Sequence, residues 1–237
     1  MLLLIAAFSR EFAGLRPMTM QAMPGLRWGA TLDLAGDQAV LVANGAGRAR
    51  ASAAAREILS KESIRAVIST GFAGALDPSY LVGDVFIADS VRGEDGEFTS
   101  RSPAGSYGEV RRGALLTVDR VVRSASAKRE LWRRDAQAVD MEAAAVAAVA
   151  REHRLPFFCI RVISDVAAEE LPVDFDRALR ADGSISPWSV LVQALRRRDG
   201  CSRLARLRRN AAAAAESLGA FLTRCEFPRQ AGTDVSS

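Results

Sequence analysis

The sequence has few of the side chains on which metal and redox sites depend. Its 237 residues include three cysteines and one histidine. Cys159, Cys201 and Cys225 are far apart and form no Cys-x-x-Cys pair, so neither a disulfide framework nor a zinc site is predicted, and a reducing cytoplasm is the expected compartment. The lone His153 excludes a multi-histidine metal centre and disfavours a Ser-His-Asp triad. These counts therefore predict neither a zinc site nor a multi-histidine metal site.

Long apolar runs and long flexible linkers are also missing. The apolar stretch Met1–Phe8 follows no basic region and is much shorter than the roughly 20 apolar residues that cross a bilayer. No Pro/Gly/Ser-rich linker divides the chain. We expect one domain over residues 1–237, with a frayed tail over 227–237.

Basic charge is concentrated in one segment. The net charge is +4, but residues 196–209, called here the basic segment, hold seven arginines and one aspartate, a net +6 that leaves the other residues at −2. No aromatic residue lies among these arginines, which disfavours nucleic-acid binding. The spacing of apolar residues over Ser202–Thr223 predicts an amphipathic helix. Its arginines are either solvated or contact an anionic membrane surface.

Apolar runs that alternate with alanine-rich stretches predict an α/β fold. The predicted strands are Leu2–Phe8, Ala39–Ala43, Ile64–Thr70, Val85–Asp89 and Phe157–Ile163. The predicted helices are Arg48–Ser60, Ser124–Arg133, Met141–His153, Pro187–Arg196 and Ser202–Thr223. Residues 92–113 are polar and glycine-rich, and we expect a loop there.

Several polar residues and glycines follow the predicted strands. Ligands of open α/β sheets bind beyond the carboxyl ends of strands, where Glu11, Asn44–Gly47, Gly71 with Gly74, and Ser164 with Asp165 are expected to meet. Each has an ordinary structural alternative. Glu11 fits the first turn of a helix, the glycines fit tight turns, and Asp165 fits a helix N-cap.

The segment Ala138–Val149, AVDMEAAAVAAV, places two acids before a helix made almost wholly of alanine and valine. Such a helix must be buried on most of its faces. Asp140 and Glu142 are therefore partners of the helix dipole or acceptors for a polar ligand, such as the hydroxyl groups of a sugar.

Five motifs together resemble the purine nucleoside phosphorylase and nucleosidase superfamily. They are Glu11 after the first strand, STGFAGAL (Ser69–Leu76), GDVFIAD (Gly83–Asp89), VDMEAAAVA (Val139–Ala147) and RVISD (Arg161–Asp165). The Ser164-Asp165 ending is similar to that of adenine-handling members, such as methylthioadenosine/S-adenosylhomocysteine nucleosidases. Residues 171–183 and the helix rich in Arg and Leu resemble the hopanoid-associated phosphorylase branch, which acts on adenosylhopane. The resemblance implies a three-layer α/β domain with a central mixed sheet flanked by helices.

The resemblance also implies roles for particular residues. Asp165 would bind the purine at N7 and protonate it as general acid, and Glu11 would orient or deprotonate the nucleophilic water. Ribose would lie against Glu142 and Met141, with Asp140 close by. Other residues expected to contact the substrate are Phe72, Val121, Val122 and Ser164. The implied partner is an adenosine-type nucleoside, whose cleavage by two carboxyl groups needs no metal and no organic cofactor. A homodimer is implied because a neighbouring subunit often completes the 5′ pocket in this superfamily.

Departures from the family pattern leave the acceptor open between water and phosphate. The Gly-Asp-Pro-type loop and the arginine of the phosphorylases are replaced by Ala7-Phe8-Ser9-Arg10 and Ser69-Thr70. Phosphate would then need another site, for which Gly45, Gly47 and Arg48 are the candidates. Phe72 stands where the nucleosidases have a small hydroxyl residue, and Asp140 where many have Glu. A catalytically impaired nucleoside-binding protein is therefore the alternative to an enzyme.

Overall fold

The computed structural model describes residues 1–16, 18–171, 174–178, 180, 184, 186, 189–190, 192–193 and 199–228. The strands are β1 (Leu2–Ala6), β2 (Thr19–Met20), β3 (Trp28–Leu34), β4 (Asp37–Ala43), β5 (Ala66–Ala75), β6 (Val85–Gly93), β7 (Gly96–Thr99), β8 (Arg111–Thr117), β9 (Ala138–Asp140) and β10 (Phe157–Asp165). The helices are α1 (Arg48–Leu59), α2 (Ala125–Trp132), α3 (Ala143–Glu152), the short α4 (Phe175–Ala178) and α5 (Gly200–Leu222), and a 3-10 turn spans Ser9–Phe12.

All ten strands belong to one mixed sheet. β1 lies between β4 and β5 and is parallel to both, while β3 and β2 continue the sheet beyond β4 in antiparallel fashion. On the side away from β1, β5 pairs with both β10 and β9. Because β10 pairs with β6, β6 with β8 and β8 with β9, these five strands form a closed ring. The predicted α/β architecture with a mixed sheet flanked by helices is confirmed.

Helices cover the sheet on both faces. The alanines of α1 and α3 are small enough for these helices to lie close to the strands, and Ala54, Ala55 and Ala144 are fully buried there. On the opposite face α5 buries Ala214, Leu218 and Leu222. In the described part of the chain no helix combines the length and the apolar character needed to cross a membrane.

Most predicted elements are present, but the predicted loop over residues 92–113 is wrong in part. β6 continues to Gly93 and turns directly into β7, and β8 begins at Arg111. The predicted frayed tail also begins too early, because Phe227 is buried and its ring packs on Phe158 with 5.1 Å between centroids. Most of the predicted helix Pro187–Arg196 and residues 229–237 lie outside the described residues.

Candidate active site

A buried arginine, Arg161 of β10, is the centre of an acidic cluster formed by Glu11, Asp140 and Glu142. Its Nη2 donates to Asp140 Oδ2 at 2.5 Å and to Ser69 Oγ at 2.8 Å, and the side chain is almost wholly buried. Burial opposes the guanidinium charge, but Asp140 and the other acids outweigh it and raise the pKa of Arg161. The cluster thus holds three carboxyl groups against one permanent positive charge.

Asp140 and Glu142 have different positions within the acidic cluster. Asp140 accepts hydrogen bonds from Thr117 Oγ1 at 2.6 Å and from the Ala143 amide at 2.8 Å in addition to that from Arg161, so it holds the start of α3 and the arginine. Glu142 accepts the amide of Gly47 at 2.8 Å. Burial, followed by the negative charge of Asp140, raises the pKa of Glu142 to about 7. Glu142 is therefore the acid of the pair that is suited to a ligand.

The carboxylate of Glu11 is fixed by backbone amides. The 3-10 turn that follows β1 brings Glu11 back over its own chain, where Oε2 accepts from the amides of Ala7 at 2.9 Å and Phe8 at 3.0 Å. Oε1 accepts from the Phe72 amide of β5 at 3.4 Å. Burial raises the pKa of Glu11, although these amides and the nearby Arg161 act in the opposite direction. A buried carboxylate with this elevated pKa is a suitable base for a water molecule.

Asp165, at the end of β10, forms a buried ion pair that the sequence did not predict. Its Oδ2 accepts from Lys128 Nζ at 2.5 Å, and its Oδ1 accepts from Ser164 Oγ at 2.8 Å. Lys128 is completely buried and also donates to the Val166 carbonyl at 2.7 Å. Asp165 is therefore neither solvated nor a helix cap. Its carboxylate is buried against the ammonium group of Lys128.

Two glycines of β5 bring the acidic cluster and Asp165 close to the same strand. A methyl group at Gly71 would lie 2.8 Å from Glu11 Oε2 and 3.2 Å from Arg161 Nη1. A methyl group at Gly74 would lie 3.1 Å from Asp165 Oδ2. The two glycines therefore make room for the acidic cluster and for Asp165. Gly71 also has a φ of 122°, a conformation that other residues rarely adopt.

The residues predicted to hold phosphate are engaged with carboxylates. Gly45 and Gly47 have φ angles of 94° and 104°, but the Gly47 amide is taken by Glu142. Arg48 pairs with Glu94 at 2.7 Å, with Asp119 at 3.0 Å and with Asp95 at 3.4 Å. This arginine lines a cleft of about 580 Å³ whose other walls come from β6, β8 and the end of α2, beside the acidic cluster rather than within it.

The remaining predicted contacts are apolar or backbone groups. Phe72 packs its partly buried ring against the core on the α5 side of the sheet, while its amide serves Glu11. Val122 packs with Val139 of β9, and Val121 precedes it in the loop before α2. Met141 is half-buried between β9 and α3. Of these residues, Val122 and Met141 lie next to β9, whose last residue is Asp140.

Cys159 and His153, for which the sequence predicts no catalytic role, are a buried thiol and a helix C-cap residue. Cys159 is buried in β10, and burial raises the pKa of its thiol to about 12, so the thiol is neutral at physiological pH. His153 is the C-cap residue of α3. In the described part of the chain, no set of three or more His, Cys, Asp or Glu side chains is placed to hold a metal ion.

Sequence reasoning missed Arg161 and Lys128 as site residues. Arg161 had a signal, because it is the one charged residue inside the apolar run Phe157–Ile163. Lys128 had none, since it lies among charged residues in a helix whose other members are exposed or half-buried.

The two groups of side chains are chemically complementary. The acidic cluster has an excess of negative charge, which favours a cation formed next to it. The Lys128–Asp165 pair places an ammonium group against a carboxylate at 2.5 Å. Cleavage of a bond that leaves positive charge on one fragment and negative charge on the other requires this combination.

Comparison with known proteins gives relatives of one kind. A family model described as the phosphorylase superfamily matches residues 29–110 and 98–185. A 5′-methylthioadenosine/S-adenosylhomocysteine nucleosidase of Tolumonas auensis is 30% identical over 189 residues, which cover 68% of this chain and 82% of that protein. A nucleosidase of the same name from Bacillus cereus is 31% identical over 176 residues, or 62% and 76% of the two chains.

Solved structures agree in fold. A Borrelia burgdorferi protein bound to adenine superimposes with a TM-score of 0.70 at 17% identity, covering 94% of this chain and 98% of that one. A 5′-methylthioadenosine/S-adenosylhomocysteine nucleosidase from S. pneumoniae, solved with a transition-state inhibitor, has a TM-score of 0.63 at 24% identity, with 93% and 99% covered. The fold and the carboxyl groups at its strand ends define an α/β protein of the nucleosidase fold. The family match is more specific: the chain belongs to the phosphorylase superfamily.

Proposed function

We propose that this protein is an enzyme that cleaves the N-glycosidic bond of an adenosine-type nucleoside and releases adenine. The observation that carries the proposal is that the acidic cluster lies against Gly71 and the Lys128–Asp165 pair lies against Gly74 of the same strand. The related nucleosidases, whose names specify adenosine derivatives, support the same substrate class.

The geometry suits an oxocarbenium-like transition state. As the bond between C1′ and N9 breaks, its electron pair moves to the purine, and Asp165 supplies a proton at N7. The ribose becomes cationic and is stabilised by the carboxylates of Glu11 and Glu142. Glu142 accepts hydrogen bonds from the ribose hydroxyls, and Met141 lies against the sugar. Proton transfer of this kind contributes roughly 10²–10⁴-fold to the rate.

We propose water as the acceptor. Phosphate at Gly45, Gly47 and Arg48 would have to displace the Glu142 carboxylate from the Gly47 amide and Arg48 from three acids. It would also approach a cluster that already has excess negative charge, which is unfavourable for a dianion. Water needs only Glu11, which deprotonates it as its oxygen bonds to C1′.

Three finer predictions remain for experiment. The first is the group on the ribose 5′ carbon, for which the resemblances leave two candidates: the hopanoid of adenosylhopane, and the sulfur-linked group of methylthioadenosine or S-adenosylhomocysteine. The second is a homodimer, which sedimentation equilibrium of the purified protein would detect. The third is peripheral contact of the basic segment with the cytoplasmic membrane surface. No observation on the described residues favours one 5′ substituent over another.

One assay tests the activity and the acceptor together. The protein is incubated with adenosine, methylthioadenosine and an adenosyl lipid, each with and without phosphate, and the base and sugar products are identified. We expect adenine and a free sugar at a rate that does not depend on phosphate, and a loss of at least 100-fold in Asp165→Asn and Glu11→Gln. Binding of an adenosine analogue without turnover of any substrate would instead identify a nucleoside-binding protein.

A further inference from the structure

We propose that Lys128 holds the proton that Asp165 passes to the departing purine. This inference rests on the proposed function, because it concerns the acid side of the same bond cleavage. Lys128 acts on the substrate only through Asp165, to which it supplies the proton. It is therefore a positioning residue and not a catalytic residue.

The burial of Lys128 is the first observation. In α2, Lys128 is the only buried residue, whereas the apolar side chains Leu131 and Trp132 remain half-buried and exposed. Lysine is among the residues least often buried, and a buried ion pair is frequently no more stable than an apolar replacement of the same size. An amphipathic helix built only for stability would place an apolar side chain at this position.

The choice of lysine is the second observation. The chain has thirty arginines and two lysines, Lys61 and Lys128. Arginine pairs with carboxylates throughout this protein, including the buried pair between Arg161 and Asp140. A guanidinium does not give up its proton in proteins, whereas an ammonium does. Lys128, the one fully buried lysine, is a cation that can lose a proton, and it contacts the predicted general acid Asp165.

The contacts leave a direct path for the proton. In the described part of the chain, the polar groups that contact the ammonium are the Asp165 carboxylate at 2.5 Å and the Val166 carbonyl at 2.7 Å. The other charged side chains next to it in α2, Arg129 and Glu130, are exposed. The carbonyl accepts a hydrogen bond but takes no proton, so Asp165 is the acceptor for a proton from Lys128.

Before the reaction, Asp165 is a carboxylate and Lys128 is an ammonium group. The C1′–N9 bond breaks and its electron pair goes to the purine, while the ammonium proton passes to Asp165 and from Asp165 to N7. Adenine leaves neutral, Asp165 is again a carboxylate and Lys128 is a neutral amine. The water that attacks C1′ gives its proton to Glu11. After release, Lys128 regains a proton from solvent and Glu11 returns one.

Lys128→Met, which is similar in volume and uncharged, is the main variant. At pH 8 we expect kcat for adenine release to fall roughly 10²–10⁴-fold with a smaller change in KM. Lys128→Arg keeps the charge but cannot release a proton, and we expect it not to restore kcat. Lys61→Met, at an exposed lysine, should behave as wild type.

A nitrophenyl riboside separates proton supply from structural damage. Nitrophenolate leaves as a stable anion and needs no acid, so Lys128→Met and Asp165→Asn should cleave the nitrophenyl riboside within a few-fold of the wild-type rate. With an adenosine substrate, the double variant should release adenine no more slowly than Asp165→Asn alone. Equal loss on both substrates, or full activity in Lys128→Arg, would overturn the proposal. If the wild-type protein releases adenine from no nucleoside, the proposed function itself is wrong.

Discussion

At the scale of single residues, the absence of a side chain at Gly71 determines where Glu11 and Arg161 can lie. Replacement by alanine would place a methyl group 2.8 Å from the Glu11 carboxylate and force an L residue to adopt a φ of 122°. We expect Gly71→Ala to lose about 1–3 kcal/mol of unfolding free energy from strain and overpacking. Because Glu11 must move, kcat/KM should fall at least tenfold.

Gly108→Ala is the matched control for this change. A methyl group at Gly108 meets nothing within 4 Å and its backbone needs no positive φ. Denaturation curves and initial rates of adenine release should match those of the wild type. Retention of full activity by Gly71→Ala would show that the position of Glu11 is not critical.

Glu142 should give the protein a pH-dependent affinity for its substrate. Burial and the charge of Asp140 raise the pKa of Glu142 to about 7, and only the ionised form accepts hydrogen bonds from both ribose hydroxyls without giving one. We expect kcat/KM to fall as the pH drops below about 7, mainly through a higher KM. The same rate profile in Glu142→Gln should lack this limb, and its persistence would assign the limb to another group.

The same group should reduce stability at high pH. Glu142 has a higher pKa in the folded protein than the ordinary value of 4.5, so the folded state binds the proton more tightly between pH 4.5 and about 7, and unfolding free energy decreases as the pH rises through this range. Above it the full penalty is present. Glu142→Gln should therefore be more stable than wild type at pH 8, by up to about 3 kcal/mol, and much less so at pH 5. Urea titrations at the two pH values measure the difference, and an equal effect at both would contradict it.

At the scale of elements, α5 fixes the 3-10 turn that bears Glu11. Gly219 of α5 and Gly14, just after the turn, contact each other so closely that a methyl group on either would overlap the backbone of the other element. Gly219→Ala should cost about 1–3 kcal/mol of unfolding free energy and lower kcat through Glu11. Ala220→Ser, on the exposed side of α5, is the control. Unchanged stability in Gly219→Ala would mean that the helix and the turn separate freely.

Strands and helices with a clear apolar pattern could be predicted from the sequence. Elements whose bounds depend on residues with positive φ could not. β1 and β10 are buried on both faces and read as continuous apolar runs. β3 was missed because the turn to β4 uses Ala35 and Gly36, both with positive φ, and alanine rarely takes this conformation. β5 was ended too early because Gly71 and Gly74 suggest a turn, although they continue the strand beside the site.

The site was predictable where a residue contradicts its local pattern. Asp140 and Glu142 before an alanine-rich helix, and Asp165 at the end of a buried strand, have that character, and the sequence therefore predicts them as candidates. Lys128 fits its local pattern, because a lysine in a charged helix is normally solvated. Only the packing of α2 against the end of β10 reveals that it contacts Asp165.

At the scale of the whole molecule, the described part of the basic segment, residues 199–209, combines paired and exposed arginines. Arg203 pairs with Asp199 at 2.6 Å and Arg206 with Glu169 at 2.9 Å. Arg208 and Arg209 are exposed on the same helix, and the nearby Leu204 and Leu207 are only half-buried. Among the described arginines of the segment, Arg208 and Arg209 are therefore the ones placed to attract an anionic membrane.

Each arginine near an anionic bilayer contributes about 1 kcal/mol, so these two would supply only about a tenfold to thirtyfold increase in membrane affinity at low salt. We expect the protein to sediment with vesicles rich in phosphatidylserine at low ionic strength and to be released at about 0.15 M salt, where screening reduces the attraction. Arg208→Glu with Arg209→Glu should abolish sedimentation, whereas Arg133→Glu with Arg134→Glu makes the same change in net charge at the end of α2 and should not. Equal loss in both double variants would mean that net charge alone drives the contact. No sedimentation of the wild type at any salt concentration would mean that the basic segment is a solvated surface.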